Sequence, residues 1–94
     1  MSKIIIKTPG QIEGIRKSCI LAAQTLKYIT PFVKEGITTD YLDKKIEEFI
    51  RDNYAIPAPL NYRGYPKSSC ISINEVVCHG IPTPDVYLKE GDIL

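Results

Sequence analysis

The chain carries one histidine, His79, in a run that also holds two of its three cysteines, Cys70 and Cys78, and two of its six tyrosines, Tyr62 and Tyr65. An imidazole can carry a proton, donate a hydrogen bond or ligate a metal. A thiol beside it can be a soft metal ligand. Cys78 and His79 do not read as a metal pair, because adjacent residues of an extended chain point to different sides and no other Cys/His cluster has tetrahedral spacing. Glu75 reads as a turn carboxylate capping nearby N–H groups rather than an acid–base catalyst. By residue type alone, a lone histidine is more often a hydrogen-bonded structural ring, and Tyr62, Tyr65 and Cys70 are equally readable as loop packing and a small buried thiol.

The elements that must place these groups follow from the same stretch. Gly64 permits a tight turn between Tyr62 and Tyr65, and Pro66 pushes Tyr65 toward extended geometry. Ser69 to Asn74 alternates, Cys70 and Ser72 on one face and Ile71 and Ile73 on the other, which predicts a half-buried strand. Asn74 to Val77 turns the chain and delivers His79 beside Gly80, where backbone can approach a ligand closely. Pro82 and Pro84 predict a loop that runs on through Gly91, before Asp92-Ile93-Leu94 opens a new strand. A strand start ending on a free carboxylate cannot be buried cheaply, so the expectation is a truncated fragment.

Upstream, the pattern is helical. Ile4 to Ile6 is β-branched and predicts an extended segment, free or packed on the first helix. Thr8-Pro9-Gly10-Gln11 reads as a capping box with proline at the first helical position. Ile12, Ile15, Cys19, Ala22, Ala23, Leu26 and Ile29 keep three-four spacing and predict a long amphipathic helix to about Ile29. Gly36 marks a helix-to-helix turn, Thr38 a cap, and Asp40 a first-turn acid of a second helix ending near Asn53. Its stripe Leu42, Ile46, Phe49 and Ile50 is expected to pack on the first stripe, with Lys44, Lys45, Glu47, Glu48 and Arg51 as the wet face. Pro57 and Pro59 make the next segment extended and exclude a central strand.

Composition bounds the function classes. A chain of 94 residues supports one domain, burying roughly 60–65% of its extended surface. Twelve basic residues against eleven acids leave a net charge of +1, which gives no electrostatic footprint for nucleic acid or membrane. Three cysteines without Cys-x-x-Cys spacing fit reduced thiols, and no apolar run approaches a membrane span or signal sequence. These point to a cytoplasmic protein.

The run Tyr62-Arg63-Gly64-Tyr65-Pro66-Lys67-Ser68-Ser69-Cys70-Ile71-Ser72-Ile73-Asn74-Glu75-Val76-Val77-Cys78-His79-Gly80-Ile81-Pro82 resembles the type I methionine aminopeptidases, and the resemblance extends from Ile6-Lys7-Thr8-Pro9 through Gly91-Asp92-Ile93. It implies an α+β fold, the N-terminal half of the pita-bread fold, with two helices packed on a small antiparallel sheet. Residues 1–94 would be one half-domain, truncated before the metal ligands. It implies removal of the initiator methionine from nascent proteins, with two divalent ions (cobalt, manganese or iron) in the full-length family protein and none for this fragment alone, which should be inactive. His79 matches the histidine that donates a hydrogen bond at the scissile peptide, and Tyr62, Tyr65 and Cys70 match the wall of the methionine side-chain pocket. Pro59 stands where many relatives carry a small residue, often cysteine, and Asp92 precedes the ligand position, so no metal ligand is assigned. Implied partners are nascent N-termini beginning with Met, near the ribosome, and a second copy of the fragment through its open edge. The alternatives are a non-catalytic short paralogue that binds N-terminal methionine, and a stub that only docks on a protein partner.

Overall fold

The structure, a computed structural model, describes residues 3–94. Its first helix, α1, runs Pro9–Ile29 and starts as the sequence dictates: Gln11 N–H donates to Thr8 Oγ1 at 3.2 Å while Thr8 N–H donates to Gln11 Oε1 at 2.9 Å. Each side chain answers an otherwise unpaired backbone donor. A 3-10 turn, Thr30–Phe32, ends the helix at the Thr30-Pro31 pair, and Gly36 reverses the chain with φ +87°. The second helix, α2, spans Thr39–Asp52, with Thr38 Oγ1 accepting from Tyr41 N–H at 3.0 Å.

The core is small and lies where the end of α1 meets the start of α2. Ile29, Leu42 and Leu88 are its buried residues, and Phe32, Ile37, Ile46, Ile71 and Ile73 pack against them. Tyr28 stacks on Phe49 with centroids 4.4 Å apart, extending the helix junction by an aromatic pair. The expected face-to-face pairing of the two stripes is thus corrected. Of the α1 stripe only Ile29 is buried, whereas Ile12, Ile15 and Leu26 are 46%, 48% and 69% exposed and Cys19, Ala22 and Ala23 are exposed too. Ile4, Ile5 and Ile6 are likewise exposed rather than packed on α1.

The Pro82–Gly91 loop contributes more than its composition suggests. Pro82 and Leu88 are buried, and the loop closes the start of α2. Thr39 N–H donates to Val86 O at 3.1 Å, Asp40 N–H to Thr83 O at 3.2 Å, and Leu88 N–H to Ile37 O at 2.8 Å. Thr39 Oγ1 donates to Thr83 O and accepts from Thr83 N–H, at 3.0 and 2.9 Å. Two first-turn donors of α2, Thr39 N–H and Asp40 N–H, are therefore satisfied by chain more than forty positions away.

No sheet forms among the described residues; the expected strands at Ser69–Asn74 and Asp92–Leu94 are extended or turned chain, and the single antiparallel bridge joins Thr38 and Tyr87. The alternation along Ser69–Asn74 still holds, since Ile71 and Ile73 face the core while Cys70 is exposed. A ladder is interrupted because each segment meets one partner residue and then turns. Ile71 N–H bonds Gly80 O and Asn74 N–H bonds Ile93 O, both at 2.8 Å, while Asn74 and His79 adopt left-handed φ of 53° and 57°.

Candidate functional site

The loop bearing Tyr62 and Tyr65 is anchored from below by one face of α2. Asp40, Asp43 and Glu47 fall at helical three-four spacing, and all three accept hydrogen bonds from Lys67-Ser68-Ser69. Asp43 Oδ1 takes Ser68 N–H at 3.1 Å and Ser69 O–H at 2.6 Å. Glu47 Oε1 takes Ser68 O–H at 2.7 Å, so it belongs to this junction and not to the expected solvated face. Lys67 Nζ lies 2.7 Å from Asp40 Oδ1 and Lys44 Nζ 3.1 Å from Asp40 Oδ2. Donation by Lys67, with Lys44 second, outweighs burial and holds the Asp40 carboxyl below its ordinary range, and Asp40 in turn raises the Lys67 ammonium.

From this anchor the chain rises into the aromatic wall. Tyr65 O–H donates to Ser69 O at 2.7 Å, with Gly80 O a longer second acceptor at 3.4 Å. Burial, first, pushes the Tyr65 phenol up to about 12, and the neighbouring Cys70 and the Asp43 carboxylate act in the same direction. On the far side, Gly80 packs against the Ile71 carbonyl: a Cβ there would lie 2.7 Å from Ile71 C and 2.9 Å from Ser72 Cα. Gly80 thus serves a close approach between two backbone segments, where the sequence suggested approach to a ligand. Its N–H donates to Ser72 Oγ at 3.0 Å, fixing His79 beside the extended segment.

The result is an open cleft of ≈ 610 Å³. His79, Tyr62, Tyr65 and Cys70 line it together, although 17 positions separate the first tyrosine from the histidine (79 − 62). Pro59, Ile81 and Pro66 add apolar lining, and Arg63 and Gly64 line it as well. Cys78 lies outside that lining, its Sγ 3.7 Å from His79 Nδ1. Glu75 and Asp85 are exposed away from the cleft. Asp92 is committed elsewhere: Asn74 Nδ2–H donates to its Oδ1 at 3.0 Å and Lys89 N–H to its Oδ2 at 2.8 Å, which together lower its carboxyl. Sequence reasoning missed the anchor of Asp43 and Glu47, since nothing local pairs residues 21 to 26 positions apart.

The model of metallopeptidase family M24 matches residues 13–94. The chain belongs to metallopeptidase family M24. Its relatives there are methionine aminopeptidases: that of Escherichia coli K12 is 52% identical and that of Haemophilus influenzae 51% identical, each over 92 residues. Those matches cover 97% of this chain but 35% and 34% of the relatives, so the chain spans about a third of their length. The crystal structure of methionine aminopeptidase from Rickettsia prowazekii superposes with a TM-score of 0.92 at 51% identity, over 96% of this chain and 36% of that one. The fold is therefore that of the corresponding part of a methionine aminopeptidase.

A metallopeptidase needs a divalent ion, and the residues present can be tested against one. Among the described residues no three His, Cys, Asp or Glu side chains come close enough together to hold a metal. Hard divalent ions ask for several fixed oxygen and nitrogen donors, and Asp40, Asp43 and Glu47 already accept from lysine and serine. This donor set does not fit a divalent ion. No helix among the described residues is long and apolar enough to cross a membrane.

Proposed function

We propose that this chain supplies the methionine side-chain wall of a methionine aminopeptidase acting on the initiator methionine of nascent chains. One observation carries the reading: Tyr62, Tyr65, Cys70 and His79 share one mostly apolar cleft in a chain half identical to enzymes of that name. Aromatic edges and a soft thiol suit a thioether, and a walled apolar cleft disfavours charged side chains. His79, on the exposed lip of the cleft, is the donor we assign to the oxygen that gains charge as the peptide is attacked. In this reading residues 1–94 act as one half-domain of a pita-bread protein in the cytoplasm, near the ribosome. The two divalent ions, cobalt, manganese or iron, are held by residues other than those described. The antiparallel sheet belongs to the same proposal: Ser69–Asn74, bonded once to Gly80 and once to Ile93, becomes a strand when further chain pairs with it. Where that chain is lacking, the open edge pairs with a second copy, which sedimentation at rising concentration tests.

The test is binding by the 94-residue chain. A methionyl dipeptide amide should bind, norleucine should replace methionine with little loss, and Tyr65→Ala should abolish binding. Equal affinity for a lysyl peptide overturns the reading. The chain alone should release no methionine from a Met-Gly peptide with cobalt or manganese; turnover abolished by chelator contradicts that. In a protein extended to the relatives' length, His79→Ala should cost about 2.7–4 kcal/mol of transition-state stabilisation with metal content retained. An unaffected turnover removes the role assigned to His79.

A further inference from the structure

Arg63 is the feature of the cleft that a thioether pocket does not require. It is the one charged side chain among the residues that line the cleft, and no carboxylate lines it. Among the described residues Arg63 forms no ion pair, while Lys67, four positions on, is held by Asp40 at 2.7 Å. Its guanidinium lies 5.5 Å from the Tyr62 ring centroid, a cation–π distance that holds the charge beside one aromatic wall of the cleft. Its backbone is left-handed, at φ 48° and ψ 39°, between Asn61 at φ 65° and Gly64 at φ 81°. A non-glycine residue in that region is strained, and this turn from Asn61 to Gly64 places Arg63 among the residues that line the cleft.

Resting on the reading of the cleft as a methionine side-chain pocket, we propose that Arg63 is a specificity determinant that favours methionyl peptides bearing a carboxylate just beyond the buried side chain. The chemistry is direct. An apolar side chain fills the cleft while the peptide that follows crosses the rim, where a forked, permanently charged donor meets the first anion within reach. Two sources carry that anion, the terminal carboxylate of a very short peptide or an acidic side chain in a longer one. Because Arg63 is exposed, the gain is that of a solvent-screened pair, roughly two- to fivefold in affinity, and it falls with ionic strength.

Calorimetric or NMR titration of the 94-residue chain tests this with Met-Ala, Met-Ala amide and Met-Ala-Asp amide. The free dipeptide should bind roughly two- to fivefold more tightly than its amide at low salt. That preference should vanish in Arg63→Gln, persist in Arg63→Lys, and shrink for the unsubstituted chain as salt is added, a readout that needs no variant. Met-Ala-Asp amide binding like Met-Ala assigns the preference to any carboxylate at that reach, and binding like Met-Ala amide assigns it to the terminal carboxylate. Equal affinity for Met-Ala and its amide, or an unchanged preference in Arg63→Gln, overturns the proposal while leaving the pocket reading intact. Failure of every methionyl peptide to bind overturns both.

Discussion

Both helices are amphipathic in sequence, yet they are held in opposite ways. Over most of its length α1 offers its apolar stripe to solvent, and only its last turn reaches the core. By contrast α2 is gripped on two sides, by Leu42 within the apolar cluster and by a row of acids that accept from the Lys67-Ser68-Ser69 loop. Periodicity reports which face of a helix wants to be covered, and it is silent on what covers it. No residue of either helix lines the cleft, but the acids of α2 tether Lys67-Ser68-Ser69, the segment between its Pro66 and Cys70 walls, so the polar tethers help set the site's geometry.

The largest effect is expected at Leu42, which is 1% exposed and central to the buried cluster. Leu42→Ala should cost about 2–5 kcal/mol, because the site cannot collapse around the lost methyl groups without moving α1 or Leu88. Denaturant unfolding followed by circular dichroism measures it. A loss as small as a surface change would mean that the polar grip alone holds α2.

Next in size is the polar grip itself. Asp43 is 5% exposed and answers both Ser68 N–H and Ser69 O–H. Asp43→Ala leaves those donors without their acceptor, at about 1.5–3 kcal/mol for a charged hydrogen-bonding group. Because Ser69 O holds the Tyr65 hydroxyl at 2.7 Å, the loss should also weaken methionyl-peptide binding. Stability lowered with peptide affinity unchanged would separate the anchor from the cleft.

Much of this contrast was legible in the sequence, and the remainder was hidden for identifiable reasons. The Thr8–Gln11 box, the Thr38 cap and the Gly36 reversal are local patterns, and each forms as read. The gathering of Tyr62, Tyr65, Cys70 and His79 about one cleft accords with the resemblance that singled them out, and their roles are a matter for the binding tests above. What stayed hidden depends on distant partners. Asp43 meets Ser69 across 26 positions, and Leu88 enters the core from a loop whose prolines and glycine announce only irregular chain. The stripe of α1 is exposed although its spacing predicts cover, because an apolar face asks for a partner without naming one.

A smaller effect is set by acid. Asp40 is held below its ordinary carboxylate value by Lys67 and then Lys44, so folding is favoured while it is ionised. That contribution is present above the unfolded-state value of about 3.9, and it disappears as pH falls through the lower folded-state value. Asp92, lowered by Asn74 and then Lys89, adds in the same direction. Asp40→Asn should flatten part of the acid loss of stability, and an unchanged acid limb would assign the loss to other groups.

The smallest effect should come from the face that looks most like a core. Ile15 lies mid-stripe on α1 and is 48% exposed, beside Cys19 and Ala22 in an open trough. Ile15→Ala removes methyl groups that already touch water, and alanine is the better helix former, so the two effects oppose each other. The expected change is within about 0.5 kcal/mol, against several for Leu42→Ala. A burial-scale loss at Ile15, reproduced at different protein concentrations, would show that α1 is covered by this chain in solution. A loss that grows with concentration would place a second copy on that face. Either result would dissolve the contrast between the two helices, because both would then be held by apolar burial.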